Sequence, residues 1–504
     1  MTPLCASAWV PASELGLRAP FFAMGALDAD RRSIPADPLD RITNVFYGRM
    51  AVRVDFLCEM GDLIPGQSGE ALSRDFFGFV PPDFVSKPSN RRLPMILMRY
   101  PRTLLGIAAE IERRRRETDA WWRTAIPDSA VLGLKDAQRL LVQAMDRFAD
   151  NLAMQAVVSA CAIQPVYEQL TTMATAAGTA PADLMRGHGS HEESAVLSDL
   201  WAVSRGRLEL PEFLCRHGYH GPGEGELSTT VWREDPSPIL RIIDQYRTLD
   251  DTAAPEETEA DSVSRREAAE RRLFDNLPWS KRLPALLLLR LARRFVPLRG
   301  VGKVSYLQAL DVIRACARRI GALLVATGQL ETPDDAFYLT REEITGSLSG
   351  DLRAIVDRRR TDRRLYQSLE VETSWTGTPV ATPIEVPARE RTSTLSGVGA
   401  SPGVVEGRAV VVLDPSETEI EAGDILIAHT TDPSWVSLMF LSEALVVDIG
   451  GMLSHAAVVA RELGIPCVMN TKNGTQVIRT GDVVRVDGAS GCVEIIRTTE
   501  GDSQ

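Results

Sequence analysis

The spacing of apolar residues changes character once along this chain of 504 residues. Over most of residues 44–373, apolar side chains recur at the three- and four-residue spacing of amphipathic helices. Residues 374–394 are rich in Pro and Thr and interrupt that pattern, as a linker does. From 395 to 498 the apolar residues form short β-branched runs bounded by turns, with two helical segments between them. We therefore predict a multidomain α+β protein, in which a large, mainly helical domain precedes a small C-terminal domain of strands and helices.

Three segments outside that C-terminal domain lack the helical pattern. Residues 1–43 contain several prolines and few periodic runs, so we expect an irregular N-terminal arm. Residues 249–262 are acidic and poor in apolar side chains, which predicts a flexible surface insertion. Residues 217–236 are rich in Gly and polar and aromatic side chains, and we expect a loop of defined shape there.

The composition of the chain limits which ligands it can bind and where in the cell we expect it. The formal net charge of −12 argues against binding nucleic acid or a membrane surface through a basic field. The longest apolar stretch, around 284–298, is too short and too rich in Arg to span a bilayer, and the N-terminus lacks the features of a signal peptide. Seven cysteines without a Cys-x-x-Cys pair indicate reduced thiols rather than disulfides or a zinc site. We expect a cytoplasmic protein with no metal site of its own.

One of the six histidines, His455, lies in the stretch 450-GGMLSHAAVVARELGIP-466. Gly450 and Gly451 allow a sharp exit from the preceding predicted strand, and Gly464 ends the helix whose first turn contains His455. The unpaired N–H groups and the dipole at a helix N-terminus favour a neutral imidazole and stabilise an anion. The pattern suits a nucleophilic histidine that carries a phosphoryl group. A locally hydrogen-bonded helix histidine has the same spacing, and the stretch alone leaves both interpretations open.

The C-terminal domain, residues 395–498, resembles the swivelling phosphohistidine domain of phosphoenolpyruvate-utilising enzymes over nearly its whole length. The resemblance is carried by the motif around His455 together with 395-LSGVGASPGVVEGRAVVV-412 and 430-TTDPSWVSLMFLSEALVVDIGG-451. Leu453 stands where dikinases usually have Thr or Asn, and Leu is typical of the rifampin-phosphotransferase-like branch. In that family the histidine accepts phosphate from an ATP-derived donor and passes it on. The resemblance therefore implies a covalent phosphohistidine intermediate at His455.

The same resemblance implies a phosphate-binding set around this histidine. Thr431 and Ser454 match polar neighbours of the phosphohistidine, and Gly450 and Gly451 complete the phosphate-binding loop. Thr431 is also a candidate N-cap of the helix that follows, and both roles can coexist.

The helical domain resembles the acceptor-binding domain of rifampin-phosphotransferase-like proteins at 48–78, 213–236 and 298–344. The resemblance implies that the loop at 217–236 binds the acceptor of the phosphoryl group.

Within this loop, Gly221 and Gly223 shape a tight turn. Glu224 is a candidate general base for an acceptor hydroxyl, a group that orients one, or a structural carboxylate. His220 replaces the Arg that family members usually carry, so its role as a phosphoryl clamp is open and it can indicate a different acceptor.

Outside the loop, Arg299 and Lys303 lie four residues apart near a predicted helix start. They are candidate phosphate- or acceptor-binding groups, and surface cations would show the same spacing.

The expected source of phosphate is a second protein. Related enzymes carry an N-terminal ATP-grasp domain, here the acceptor-like domain begins almost at once, and the spacing around Gly302 and Lys303 does not fit a P-loop. We expect a phosphotransferase subunit of a split dikinase-type enzyme, with ATP and Mg²⁺ bound mainly by a separate ATP-grasp partner. His455 would take the β-phosphate of ATP and pass it to a small-molecule hydroxyl or carboxyl, such as an antibiotic or secondary metabolite.

Two alternatives remain at this stage. One is an ATP-dependent ligase or dehydrating enzyme of secondary metabolism that works through a phosphorylated intermediate. The other is a non-catalytic regulatory or binding protein, against which the intact motif around His455 argues.

Overall fold

The computed structural model describes most of the chain, in the ranges 1–77, 79–185, 191–346, 350–384, 393–413, 420–421, 423–431, 435–451 and 454–499. The chain divides into two compact units. The first comprises Met1–Pro165, Glu226–Ser228 and Leu298–Val386. The second comprises Val166–Gly225, Thr229–Pro297 and Pro387–Gln504. Residues 166–297 thus belong mainly with the C-terminal segment, rather than with the rest of the predicted helical domain.

The helices within the described residues are, in chain order, α1 Pro3–Met24, α2 Val54–Leu63, α3 Gly69–Phe77, α4 Leu93–Ser129, α5 Leu134–Val158, α6 Gln164–Ala176, α7 Pro181–Met185, α8 His191–Ser204, α9 Leu210–His217, α10 Ser237–Thr248, α11 Pro255–Asn276, α12 Trp279–Phe295, α13 Leu298–Ala326, α14 Arg341–Thr345, α15 Leu352–Gln367, α16 Val436–Leu441, α17 His455–Leu463 and α18 Gly474–Val477. None of these described helices has the length and apolar character needed to cross a membrane. In the first unit, α13 packs against α4 and α5, and α5 packs against α1.

The strands within the described residues are β1 Thr43–Phe46, β2 Arg49–Val52, β3 Leu369–Val371, β4 Ala381–Pro383, β5 Thr394–Ser396, β6 Val398–Ser401, β7 Val404–Val412, β8 Ile425–Ala428, β9 Ala444–Val447, β10 Cys467–Met469, β11 Val483–Asp487 and β12 Cys492–Arg497. The pairs β1–β2 and β3–β4 are antiparallel and belong to the first unit. The others form one sheet in the order β5-β12-β11-β7-β8-β9-β10-β6. The predicted linker at 374–394 contains β4, and its residues 385–392 lie outside the described ranges.

The N-terminal residues form a helix, so the prediction of an irregular arm over 1–43 is wrong. Helix α1 has Pro3 in its first turn, where proline is tolerated, and Gly25 ends it in a left-handed conformation with φ of 95°. Pro11 and Pro20 lie inside the helix, although interior prolines disfavour helical structure. Packing of α1 against α5 offsets that cost, because helices in proteins are stabilised mainly by tertiary contacts.

Residues 249–262 are also structured, and the prediction of a flexible insertion there is wrong. Helix α11 begins within this segment, at Pro255. The buried Ser262 hydroxyl donates a hydrogen bond to the Glu462 carbonyl at 2.8 Å. Acidic side chains at a helix N-terminus are stabilised by the helix dipole, so the composition that suggested flexibility here accompanies a helix start.

The large sheet has two apolar faces in the second unit. On one face, α16 and α17 share a buried core with α8 and α10, and this core includes Leu200, Tyr246, Leu426 and Met439. The other face forms a separate core that includes Ile425, Val446, Val484 and Val493. The predicted α+β fold, mainly helical and ending in a mixed sheet, is confirmed.

Candidate active site

The parallel strands of the large sheet bring the phosphohistidine motif to one edge. Strands β7, β8, β9 and β10 are mutually parallel, so their carboxyl ends meet there. Thr431 follows β8, Gly450 follows β9, and α17 begins at the same edge with Ser454 at its N-cap and His455 as its first residue. Ligands bind at this edge of parallel sheets, because the loops and helix N-termini converge on it.

His455 is half-buried and contacts Thr431 through one ring nitrogen. The distance between Nδ1 of His455 and Oγ1 of Thr431 is 3.3 Å. With a proton on Nδ1, the imidazole donates to this hydroxyl. In that tautomer Nε2 carries the lone pair. Helix α16 begins at Val436, and the side chain of Thr431 contacts His455, so the contact favours the phosphate-site role over the N-cap role.

Ser454 lies at the same helix start, and its hydroxyl is buried there. Its backbone is extended (φ −66°, ψ 161°), as expected of an N-cap residue, yet its side chain makes no capping bond. Its Oγ is buried and has no hydrogen-bond partner among the described residues. A buried hydroxyl without a partner is costly, and a phosphoryl oxygen beside it would accept its hydrogen bond.

The two glycines of the motif differ in what surrounds them. A Cβ on Gly450 would lie 2.2 Å from Cε of Met469 and 3.1 Å from Oγ of Ser454, so the close approach requires glycine there. A Cβ on Gly451 would meet nothing within 4 Å. Leu453, the residue on which the resemblance to the rifampin-phosphotransferase-like branch partly rests, lies outside the described residues.

A histidine–carboxylate pair also lies at this edge and was missed from the sequence. Nδ1 of His429 is 3.4 Å from Oδ2 of Asp448, and the side chains are 59% and 1% exposed. Asp448 also accepts hydrogen bonds from the hydroxyls of Thr471 and Thr475, at 2.9 and 2.5 Å. Each member of the pair follows a parallel strand directly, β8 or β9, and that position is the signal that could have identified it.

The acceptor loop follows α9, also in the second unit. His220 and Glu224 are 6% and 5% exposed, and Nδ1 of His220 lies 2.5 Å from Oε1 of Glu224. The other carboxylate oxygen, Oε2, is buried and has no hydrogen-bond partner among the described residues. Burial of an unsatisfied carboxylate oxygen is unfavourable, so this atom marks a place where a donor from another molecule would be stabilised.

Gly221 and Gly223 shape the turn of this loop. A Cβ on Gly221 would lie 2.6 Å from the Thr230 carbonyl oxygen, and Gly223 has a φ of +66°, which disfavours other residues. Backbone bonds then close the loop, because Trp232 N donates to the His220 carbonyl at 2.7 Å. The loop has the defined shape that the sequence predicts.

Aromatic side chains and a second imidazole surround His220. The ring centroids of Tyr219 and Trp232 lie 4.4 and 5.3 Å from that of His220, and that of His217 lies 6.5 Å away in a stacked arrangement. Nε2 of His217 is 2.8 Å from Oδ2 of Asp199. This hydrogen bond, together with one from Arg216, lowers the pKa of Asp199. The sequence did not identify His217 or Asp199, because Asp199 comes from α8, outside the loop.

Arg299 and Lys303 occupy the beginning of α13 in the first unit, and both are half-buried. They therefore belong to a different unit from His220 and Glu224. Between them, a Cβ on Gly302 would lie 2.0 Å from Oε1 of Gln155, so this part of α13 is closely packed. Elsewhere among the described residues, no group of three or more His, Cys, Asp or Glu side chains is arranged to hold a metal ion.

Two family models match the chain. "PEP-utilising enzyme, mobile domain" matches residues 420–491, and "Rifampicin phosphotransferase fourth domain" matches residues 129–300. These two parts of the chain are therefore similar to the two kinds of domain. Both resemblances identified in the sequence are thereby confirmed. The mobile-domain match includes Thr431 and His455, and the fourth-domain match includes His220 and Glu224.

Relatives of the chain are considerably longer than the part that matches. A rifampicin phosphotransferase of Streptomyces sp is 33% identical over 322 residues, which cover 60% of this chain and 36% of that protein. An uncharacterized protein of Mycobacterium tuberculosis (strain H37Rv) is 32% identical over 302 residues, covering 58% and 33%. The prodigiosin synthesizing transferase PigC of Serratia marcescens is 28% identical over 330 residues, covering 63% and 37%. The matched part thus spans about a third of the length of these relatives.

Proposed function

We propose that this chain is a phosphotransferase that works through a phosphohistidine at His455. The observation that carries the proposal is the geometry of that residue within the matched mobile domain. His455 is the first residue of α17, at the carboxyl edge of parallel strands, with Nδ1 against Thr431 and the buried Ser454 hydroxyl beside it. A helix N-terminus of this kind stabilises the negative charge of a phosphoryl group.

In the first half-reaction, Nε2 of His455 attacks the β-phosphorus of ATP that is bound, with Mg²⁺, by a separate ATP-grasp protein. This attack displaces AMP and leaves a pyrophosphoryl group on His455; water then hydrolyses the anhydride bond of that group, which releases inorganic phosphate and leaves phospho-His455. The catalytic contribution of this chain is positioning and charge stabilisation, as is typical of phosphoryl transfer. Thr431 holds the proton on Nδ1, and the Ser454 hydroxyl and the N–H groups of α17 bind the transferred oxygens.

In the second half-reaction, the phosphoryl group passes to a small-molecule hydroxyl or carboxyl at the loop containing His220 and Glu224. His220, Glu224 and the mobile domain belong to the second unit, and helices α8 and α10 share an apolar core with the mobile domain's sheet. This common core supports a docked position in which the mobile domain serves the acceptor, reached by a swing about the segment 374–394. The mycobacterial relative does not indicate an acceptor. The Streptomyces relative is named a rifampicin phosphotransferase, which makes rifampicin the first acceptor to assay.

Isotope position tests the first half-reaction. The chain is mixed with a candidate ATP-grasp protein and ATP labelled with ³²P at either the β- or the γ-phosphate. We expect acid-labile label on the chain from β-labelled ATP alone, and none on His455→Asn. Equal labelling of the His455→Asn variant would contradict the proposal, and label from γ-labelled ATP would contradict the assignment of the transferred phosphate.

A second candidate keeps the phosphohistidine and changes the outcome. The relative named as a prodigiosin synthesizing transferase favours a role in synthesis, in which the phosphorylated acceptor is an activated intermediate for ligation or dehydration. The two candidate functions are separated by running the reaction with candidate acceptors, quenching it, and analysing the products for a stable phosphate ester. A stable ester supports the phosphotransferase, whereas free phosphate with a condensed or dehydrated product supports the synthetic enzyme.

A further inference from the structure

Helix α12, which belongs to the second unit, presents an apolar face to solvent. Four of its side chains are spaced four residues apart and are 86, 65, 50 and 38% exposed, in the order Trp279, Leu283, Leu287 and Leu291. Leu286, one turn from Leu283, is 37% exposed. Single exposed apolar residues are ordinary on protein surfaces, whereas a row of them along one helix marks a surface for a partner.

The opposite side of α12 already anchors the helix. The residues buried there are Ala285, Leu289, Ala292 and Phe295. Ala285 shares a core with Ala269 and Leu273 of α11. A surface helix needs one apolar stripe to pack against its own domain, so the fold of the unit does not account for the second stripe.

The charges on α12 all have one sign. Its 17 residues contain no Asp or Glu and five basic residues, Lys281, Arg282, Arg290, Arg293 and Arg294. Arg293 pairs with Glu270 of α11 at 2.5 Å, whereas Lys281 and Arg290 make no ion pair with a described residue. This helix is basic within a chain whose formal net charge is −12. A partner with complementary charge is therefore acidic.

Spacing and charge together identify the kind of partner. Residues four apart form the ridge by which one helix packs into the groove of another, so the row from Trp279 to Leu291 suits a helix of a second protein. Two copies of this chain that met through α12 would bring like charges together. The acidic remainder of the chain would oppose an anionic membrane surface.

Helix α11 connects this face to the helix that begins with His455. Its Glu270 pairs with Arg293 of α12. Nearer the start of α11, the Ser262 hydroxyl donates to the Glu462 carbonyl of α17 at 2.8 Å. A protein bound to α12 is thus bound to the same unit as His455.

We propose that the exposed face of α12 is the docking surface for the ATP-grasp protein of the first half-reaction, which presents an acidic, apolar helix to it. This inference rests on the proposed function and names the surface that its partner contacts. Trp279 and the leucines supply the affinity, because a few buried aromatic and apolar anchors dominate interfaces. The basic residues orient the partner and speed its association.

Labelling of His455 at varied concentrations of the ATP-grasp protein, with ATP labelled at the β-phosphate, tests this docking. In the double variant Leu283→Asp, Leu287→Asp, we expect the half-maximal concentration of the ATP-grasp protein to rise at least about tenfold. The maximal rate should not change, because the substitutions leave His455 and its surroundings intact. A lowered maximal rate with an unchanged half-maximal concentration would overturn the proposal.

The matched control is Leu105→Asp. Leu105 is a leucine of α4 in the first unit and is 76% exposed. The same change of side chain there should leave both the half-maximal concentration and the maximal rate as in wild type. An increase equal to that of the α12 variant would mean that added negative charge alone weakens binding, and would overturn the assignment to α12.

Reversing one charge tests the acidic character of the partner. Arg290→Glu should raise the half-maximal concentration and make it less sensitive to salt, because salt screens attraction between exposed charges. Tighter binding of Arg290→Glu would mean that the partner presents basic groups, which contradicts the proposal.

Other occupants of the face are tested with the chain alone. We expect a monomer in sedimentation velocity and no flotation with vesicles of phosphatidylserine and phosphatidylcholine. Self-association that is abolished by Leu283→Asp, Leu287→Asp would assign the face to a second copy of the chain. Vesicle binding abolished by the same variant would assign it to a membrane. Either result would overturn the proposal.

Calorimetric titration of the ATP-grasp protein separates this inference from the proposed function. If this protein binds wild type, and the α12 double variant at least about tenfold more weakly, yet His455 is not labelled, the docking surface stands and the proposed function fails. If wild type is labelled and the double variant has an unchanged half-maximal concentration, the proposed function stands and the docking surface is wrong.

Discussion

Two histidine–carboxylate sites among the described residues of the second unit differ in how they are built. At the sheet edge, His429 is 59% exposed and pairs with an Asp448 that has other hydrogen-bond donors. In the acceptor loop, His220 and Glu224 are both buried, and one oxygen of Glu224 lacks a described partner. The edge site therefore tolerates changes in its histidine, whereas the loop site depends on every member. Under the proposed function, the edge with the exposed pair would belong to the phosphate carrier, and the buried loop would shield the acceptor from water.

The largest effect is expected from removing the buried histidine. His220→Ala leaves Glu224 buried without its partner, and breaking a buried pair in this way costs about 3–5 kcal/mol. The local free energy of opening, measured by hydrogen exchange over residues 210–236, should fall by about that amount. A loss below about 1 kcal/mol would show that the loop is not the high-cost site that the comparison requires.

Glycine substitutions extend the comparison to the backbone. Gly221→Ala puts a Cβ 2.6 Å from a carbonyl oxygen, so we expect overpacking to destabilise the loop by about 1–3 kcal/mol. Gly451→Ala at the sheet edge meets nothing within 4 Å and should change stability by less than about 0.5 kcal/mol. Thermal unfolding of the two variants, run together, provides the measurement. Equal losses would show that both loops are packed alike.

At the sheet edge that contains His455, substitutions should change the rate of phosphate labelling more than the stability of the chain. Thr431→Val keeps the shape of the side chain and removes the hydroxyl that contacts Nδ1 of His455. Loss of one such hydrogen bond is worth about 1.4 kcal/mol, so His455 should label about tenfold more slowly. Thr430→Val, at the exposed neighbouring position, serves as the control. Slowing of both variants to the same degree would remove Thr431 from the site.

Acid should weaken the loop through Asp199. Its pKa is lowered in the folded chain, mainly by the hydrogen bond from His217, so its stabilising contribution is present above the usual Asp range. That contribution is lost as the pH falls from the usual Asp range through the lower folded-state pKa. Asp199→Asn should therefore flatten the acid limb of the stability profile of the loop, measured by hydrogen exchange between about pH 5 and pH 2.5. An unchanged limb would assign the acid sensitivity to other carboxylates.

The two sites also differ in how far the sequence predicts them. The set around His455 lies mostly within one short motif, where glycines, a helix start and a strand end follow one another. Its partner Thr431 is placed by a parallel strand pair that the motif itself does not contain. In the acceptor loop the sequence predicts the turn and Glu224, but Asp199 lies 18 residues before His217 and reaches it only through the packing of α8 against α9.

The errors in fold have a related physical origin. Local composition gave wrong predictions for the first 43 residues and for the acidic segment at 249–262. The helices there, α1 and α11, depend on contacts with residues distant in sequence. Helix α1 is stabilised against α5 despite interior prolines, and α11 is tied to the mobile domain through Ser262 and the Glu462 carbonyl. Periodicity predicted the switch from helices to a mixed sheet correctly, since it sums over many residues.

The smallest effect is expected from removing the exposed histidine at the edge. In His429→Ala, Asp448 keeps its hydrogen bonds from Thr471 and Thr475, and an exposed pair is worth about 0–1 kcal/mol. Unfolding of the variant should thus differ from wild type by less than about 1 kcal/mol, and raised salt, which screens exposed charges, should narrow that difference further. A loss comparable with that of His220→Ala, insensitive to salt, would mean that the buried carboxylate of Asp448 needs His429 as its counter-charge. The edge would then be as tightly coupled as the loop, and the contrast between an open carrier site and a closed acceptor site would fail.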